Sequence, residues 1–288
     1  MSDEGEQVTQ VVDADQAGMV APADAAEPLI APRRLYWWRE VLYVLAFYAV
    51  YSWIRNQFGS ASVSPGTAFT NARYVIHIER LVGLFHEETI QQVVLRFHSF
   101  IVFWNVYYGT FHFIVTAFAL IWMYRSFPKR YPLWRNTLAF TTGFALVGFA
   151  TFPLMPPRLL PASYGFVDTL DKFGALWSFD SGAMHKISNQ YAAMPSLHCA
   201  WAMWCLLVMW PQLKSVWARA LLVLYPIATV YCIIVTANHY WLDAVGGFVT
   251  LGLGFCAAKV LTRWNDKRWI ARHPEAAVID MTAGAATA

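Results

Sequence analysis

The chain has 288 residues, of which 58% are hydrophobic, 17% aromatic and only 14% charged, with a formal net charge of +3. That balance lies well outside a soluble domain's and argues against nucleic acid as a partner. Several apolar runs reach the ~20 residues needed to cross a ~30 Å hydrocarbon core, so the length reads as a bundle of membrane helices.

Residues 1–32 are acidic and rich in Ala and Asp, without the basic start and apolar core of a secretory signal. They read as a disordered cytoplasmic tail. The first span is expected over Tyr36–Ile54, prefaced by Arg33, Arg34 and Arg39. From Arg55 to about Phe100 the chain is less apolar. Ala72, Val75, Ile76, Glu79, Leu81, Val82, Leu84 and Phe85 recur there at loosely helical spacing, which predicts amphipathic helices lying at the interface.

The second span is expected over Ile101–Tyr124, closed by Arg125, Lys129 and Arg130, and the third over Trp134–Leu154, stopped by Pro153 and Pro156-Pro157. A loop of about forty residues follows, long enough to shape a pocket or lid. The fourth, fifth and sixth spans are expected over Pro195–Pro211, Trp217–Ala237 and Trp241–Leu261. Cys199, Cys205, Cys232 and Cys256 all fall inside spans, form no CxxC pair, and read as small packing residues.

The fold class expected is therefore all-α: a polytopic six-transmembrane helix bundle with interfacial helices over 33–265, flanked by cytoplasmic tails 1–32 and 266–288. Arginine and lysine collect at one set of span ends. The positive-inside rule then puts both termini in the cytoplasm and assigns a multi-pass plasma-membrane protein.

Three short motifs stand at the opposite ends of the spans. His239 and Asp243 are four apart at the start of the sixth span, a spacing that puts both on one helix face. A carboxylate there fixes the imidazole tautomer and leaves the other ring nitrogen free to attack. His198 follows Pro195-Ser196-Leu197, where free amides at a helix start attract an anion and a histidine can protonate a leaving oxygen. Arg158 follows a proline pair, and a guanidinium can grip two phosphate oxygens at once. Each alone has a bland counterpart: a chance pair, a water-capped interfacial histidine, an arginine on lipid headgroups. Asn105, Tyr108 and His112 lie close to one face of the second span and offer amide, hydroxyl and imidazole groups to a polyol or headgroup. Their bland counterpart is a polar stripe sealing helix contacts.

Taken as an ordered triple, Pro157-Arg158, Pro195-Ser196-Leu197-His198 and His239-x-x-x-Asp243 resemble the signature motifs of the type 2 phosphatidic acid phosphatase superfamily. The phrases Ala193-Met194-Pro195-Ser196-Leu197-His198 and Asn238-His239-Tyr240-Trp241-Leu242-Asp243, followed by Gly246-Gly247, resemble its inositol phosphorylceramide synthase-like branch of inositolphosphotransferases. The resemblance covers roughly residues 36–262.

It implies a membrane enzyme acting on a lipid phosphate or phospholipid, with His239 forming a phosphohistidine, Asp243 activating it and His198 serving as acid and then base. Arg158 and Ser196 would hold phosphate, with Asn105, Tyr108 and His112 nearby. The acceptor would be water, a polyol or a lipid alcohol, and the reaction would need no metal or cofactor. Two positions depart from the fullest pattern: Thr151 stands where it has a lysine, seven residues before Arg158, and Ile233 where it has an arginine, six before His239. The shorter pattern fits the inositolphosphotransferase-like branch better than the simple phosphatases.

A transporter would be expected to show internal repeats or broken midplane helices, and neither is visible. A histidine-rich metal enzyme would need a ligand box such as His-Glu-x-x-His, which does not occur.

Overall fold

A computed structural model describes residues 35–58, 63–174 and 190–272. The expected tail 1–32 lies outside these, as does the chain after 272. Residues 32–265 gather into one compact unit. All regular structure among the described residues is helical. In chain order the α-helices are α1 (Trp37–Phe58), α2 (Pro65–Leu81), α3 (Glu87–Leu95), α4 (His98–Ser126), α5 (Tyr131–Thr151), α6 (Thr169–Phe173), α7 (Leu197–Met209), α8 (Val216–Val235) and α9 (Trp241–Arg272).

Three of them, α4, α8 and α9, are long and apolar enough to cross a membrane. Their outer faces carry large exposed apolar side chains, including Phe113, Ile114 and Phe118 on α4, Leu221 and Ile227 on α8, and Val249 and Leu253 on α9. Unbroken apolar surface of this kind is stable only against lipid or protein. The other expected spans coincide with α1, α5 and α7. Of these α7 has 13 residues and rises only ~20 Å.

Helix α9 runs past the expected span end at Leu261 as far as Arg272, so residues 266–272 are helical. No helix breaker occurs in that stretch before Pro274. Cys256 is exposed on α9, whereas Cys199, Cys205 and Cys232 are buried packing residues as expected.

The region after α1 forms two helices, α2 and α3, as its spacing leads one to expect. Pro65 opens α2, which turns Ala68, Ala72, Val75, Ile76 and Glu79 inward. The stripe ends there: Leu81, Val82 and Leu84 face outward. The inward face packs with Leu154, Met155, Leu160, Ala193 and Tyr240, so α2 closes one end of the bundle.

Helix α7 runs through the middle, burying Cys199, Ala200, Ala202, Trp204, Cys205 and Val208. Trp204 Nε1 donates to the Trp134 carbonyl at 3.0 Å and Trp201 Nε1 to Thr142 Oγ1 at 3.1 Å, fixing α7 to α5. At the end where α1 begins, Arg135 grips both carboxylate oxygens of Glu40 at 2.6 and 2.8 Å, and Tyr131 adds a hydroxyl at 3.1 Å. This pins α1 to α5.

Helices α5 and α9 touch backbone to backbone at Gly254. A Cβ there would stand 2.8 Å from Thr141 N and 3.0 Å from Thr137 O, whereas one at Gly252 meets nothing within 4 Å. Small residues at such crossings let membrane helices approach closely. Gly254→Ala is therefore expected to destabilise the protein by about 1–3 kcal/mol. Gly252→Ala should be neutral or stabilise by up to about 1 kcal/mol. Thermal unfolding of the two variants in micelles checks the contrast.

Candidate active site

The residues singled out in the sequence converge at one end of the bundle, where α4, α7 and α9 begin and α5 and α8 end. Backbone bonds tie these ends together. Arg158 N donates to Ala237 O at 2.8 Å, Ser196 N to Asp243 O at 2.9 Å, and Leu154 N to Tyr191 O at 2.8 Å. Segments remote in sequence are thus joined close to His239, His198 and Arg158, with Ala237 two residues before His239 and Ser196 two before His198.

His239 follows the end of α8 and precedes α9, with only 3% of its surface exposed. Its Nδ1 lies 2.8 Å from the Ala193 carbonyl and 3.2 Å from Asp243 Oδ2. A carbonyl only accepts, so the Ala193 contact requires the proton on Nδ1 and leaves the lone pair on Nε2. The nearest neighbour of Nε2 is the Tyr108 hydroxyl, at a loose 3.5 Å. Asp243 Oδ2 also accepts from Tyr240 N at 2.9 Å, which fixes the carboxylate as it orients the ring.

His198 stands across from it, with ring centres 5.7 Å apart. Ser196 caps α7, its Oγ accepting from Cys199 N at 3.5 Å, and so sets His198 in the first turn. Tyr108 stacks on the His198 ring at 4.2 Å, and its carbonyl accepts from His198 Nε2 at 3.2 Å. That bond leaves His198 Nδ1 as the nitrogen free for proton transfer. His112, one turn along α4, meets His198 edge-on at 4.2 Å, with its own Nδ1 buried and unpartnered.

Close approach of α7 and α9 depends on Gly247, whose Cβ position would fall 3.4 Å from Ala200 N and 3.3 Å from the Ser196 carbonyl carbon. This gives Gly247 of the sequence motif a steric reason, whereas a Cβ at Gly246 would meet nothing closer than 3.5 Å.

Arg158 occupies a 3-10 turn, Pro157–Leu159, after α5. Its Nη1 forms an ion pair with Asp168 Oδ2 at 2.6 Å, while Asp168 Oδ1 caps α6 through Leu170 N and Asp171 N. Nε of Arg158 is buried and has no partner among the described residues. A buried guanidinium donor left open is a ready contact for an anionic oxygen.

Asn105 has a different employment from the one its helix face suggested. Its Nδ2 donates to Thr169 O and Gly174 O, both at 2.8 Å, and its Oδ1 accepts from Thr169 Oγ1 at 2.8 Å. It holds α6, and with it Asp168, against α4. Neither departing position brings a cation back: Thr151 bonds its own helix at Val147 O, 2.8 Å away, and Ile233 is fully buried in the core.

The sequence reading did not single out Asp168, the Ala193 carbonyl or the capping role of Glu79. Asp168 carried one signal, an acidic residue at a helix start. The carbonyl carried none, because backbone acceptors are invisible to residue type.

A family model described as the PAP2 superfamily matches residues 73–257, a stretch that includes every site residue above. The chain belongs to the PAP2 superfamily. It is thus a membrane enzyme of a family of phosphatases and phosphotransferases, with lipid phosphates as the general substrate class. Nothing among curated proteins or solved structures matches this PAP2 chain at a significant level.

Arg158→Lys cannot keep the Asp168 pair and also offer a second planar donor. It is expected to lower kcat/KM on a short-chain phosphatidic acid by about 100-fold. Steady-state kinetics check this, and an effect under about twofold would remove Arg158 from the site.

Proposed function

We propose that this PAP2 enzyme is a six-span phosphotransferase that passes a lipid-borne phosphoryl or inositol-phosphate-type group to a hydroxyl acceptor through a phosphohistidine at His239. The observation that carries the reading is the arrangement of His239, with Nδ1 held by Ala193 O and Asp243 and with His198 facing it. In the first step Nε2 attacks phosphorus, the bond to the lipid oxygen breaks, and His198 gives that oxygen a proton. In the second, His198 takes a proton from the acceptor hydroxyl as its oxygen attacks phosphorus, and the P–N bond breaks to regenerate His239. Arg158 offsets charge on the non-bridging oxygens, with Tyr108, His112 and the capped start of α7 beside it.

Transfer is favoured over hydrolysis by the enclosure of the nucleophile. His239 and Asp243 are almost wholly shielded, and a site that hands a phosphoryl group to an alcohol must keep water out. The neutral residues Thr151 and Ile233 also suit a diester, which carries less charge than a monoester. The excess of Arg and Lys at one set of span ends supports assigning both termini to the cytoplasm and the site to the extracytoplasmic face of the plasma membrane.

Purified protein in lipid is offered phosphatidylinositol or phosphatidic acid, with and without a polyol or lipid-alcohol acceptor, and products are read by mass spectrometry. A new phosphodiester establishes transfer; free phosphate alone makes the enzyme a lipid phosphate phosphatase. His239→Ala is expected to abolish either product. Asp243→Asn should slow turnover by about 10²–10⁴-fold, because the amide does not enforce the tautomer.

A further inference from the structure

Helix α9 begins at Trp241, two residues after His239, and its first amides have no partner within the helix. A helix start is usually closed by a reciprocal cap, in which the capping side chain accepts one early amide and the third helical residue reaches back. Here the backward half is present: Asp243 Oδ2 accepts from Tyr240 N at 2.9 Å. The forward half is missing from the local sequence. Tyr240 occupies the capping position, and its hydroxyl is bonded instead to Met155 O at 3.0 Å.

The missing acceptor arrives from α2. Glu79 Oε1 accepts from Leu242 N at 2.8 Å, across 163 residues of sequence. Glu79 is fully buried, and so is Glu87 on α3 beside it. Among the described residues no hydrogen-bond donor reaches Glu79 Oε2 or either oxygen of Glu87. An enclosed carboxyl whose second oxygen meets no donor favours its neutral form. Burial first, and then the neighbouring Glu87 carboxyl, raise the Glu79 pKa well above the usual carboxylate range, with Asp243 adding to the rise and Leu242 N opposing it. Such an acid still presents a carbonyl-type oxygen to Leu242 N.

We propose that Glu79 is a positioning residue for His239: by accepting from the Leu242 amide it completes the cap of α9 and fixes the turn from which Asp243 orients the imidazole. The lever is short. Leu242 adjoins Asp243, and one oxygen of Asp243 holds both Tyr240 N and His239 Nδ1. If the Leu242 amide is released, the carboxylate loses its seat. The proposal rests on His239 being the nucleophile.

Glu79→Gln keeps the acceptor oxygen, whereas Glu79→Met keeps the bulk without it. Two readouts apply to the purified full chain in micelles: amide hydrogen exchange over residues 238–246, and binding of orthovanadate followed by tryptophan fluorescence. Glu79→Met is expected to speed exchange and weaken vanadate binding, each by about tenfold, the scale of one buried hydrogen bond. Glu79→Gln should stay within about threefold of the parent on both. Equality of Met with the parent, or a Gln variant as impaired as Met, would overturn the proposal. Should Glu79→Met fail to fold, Gln decides: parent-like behaviour supports the acceptor role and impairment refutes it. A His239→Ala control separates the two claims. Unchanged vanadate affinity in that variant would sink the nucleophile assignment, while the exchange data would still judge the cap.

Discussion

A single proton on His239 Nδ1, held between the Ala193 carbonyl and the Asp243 carboxylate, is the constraint on which the site depends. In the proposed reaction it determines which nitrogen attacks, and it demands that three remote segments meet within about 3 Å. The stretch before α7 must present its carbonyl, the end of α8 must deliver the imidazole, and the first turn of α9 must supply the carboxylate. The rest of the bundle is arranged to make this meeting possible. Ser196 N on Asp243 O joins the starts of α7 and α9, and Gly247 lets their backbones touch. Trp201 and Trp204 hold α7 against α5, whose far end leads into Arg158.

The arrangement suits phosphoryl transfer because it divides labour between two histidines with different surroundings. His239 is sealed and carries a fixed tautomer. His198 is only partly buried, stacks on Tyr108 and has one nitrogen committed to a carbonyl, leaving the other for proton traffic. In the proposed reaction one is oriented by a carboxylate and the other gains and loses a proton. The cation at the site is itself restrained, since Asp168 holds Arg158 at one nitrogen and leaves Nε open.

Much of this was legible in the sequence because it is local. The i, i+4 spacing of His239 and Asp243, the proline and serine before His198 and the proline pair before Arg158 are short-range patterns, and each stands at a helix end. The helical character of the segment after α1 was legible from spacing, down to the inward stripe Ala72–Glu79. What escaped was non-local. Glu79 looked like part of an amphipathic stripe, and its bond to Leu242 depends on how α2 folds back over the bundle. Asn105 shares a helix face with Tyr108, yet its amide is taken up by the segment 169–174, which approaches from a loop of no regular pattern. Hydropathy falls after Leu261 while helix-forming character does not, so α9 runs on to Arg272.

Covalent capture of the intermediate tests the central claim most directly. The enzyme is mixed briefly with a short-chain phosphatidic acid, quenched in alkali, where phosphohistidine survives, and digested for peptide mass spectrometry. The account predicts phosphate on His239, lost in His239→Ala and persisting longer in His198→Ala, where the second step lacks its base. Turnover of the same substrate with no phosphate on His239, or with phosphate on another residue, would contradict it.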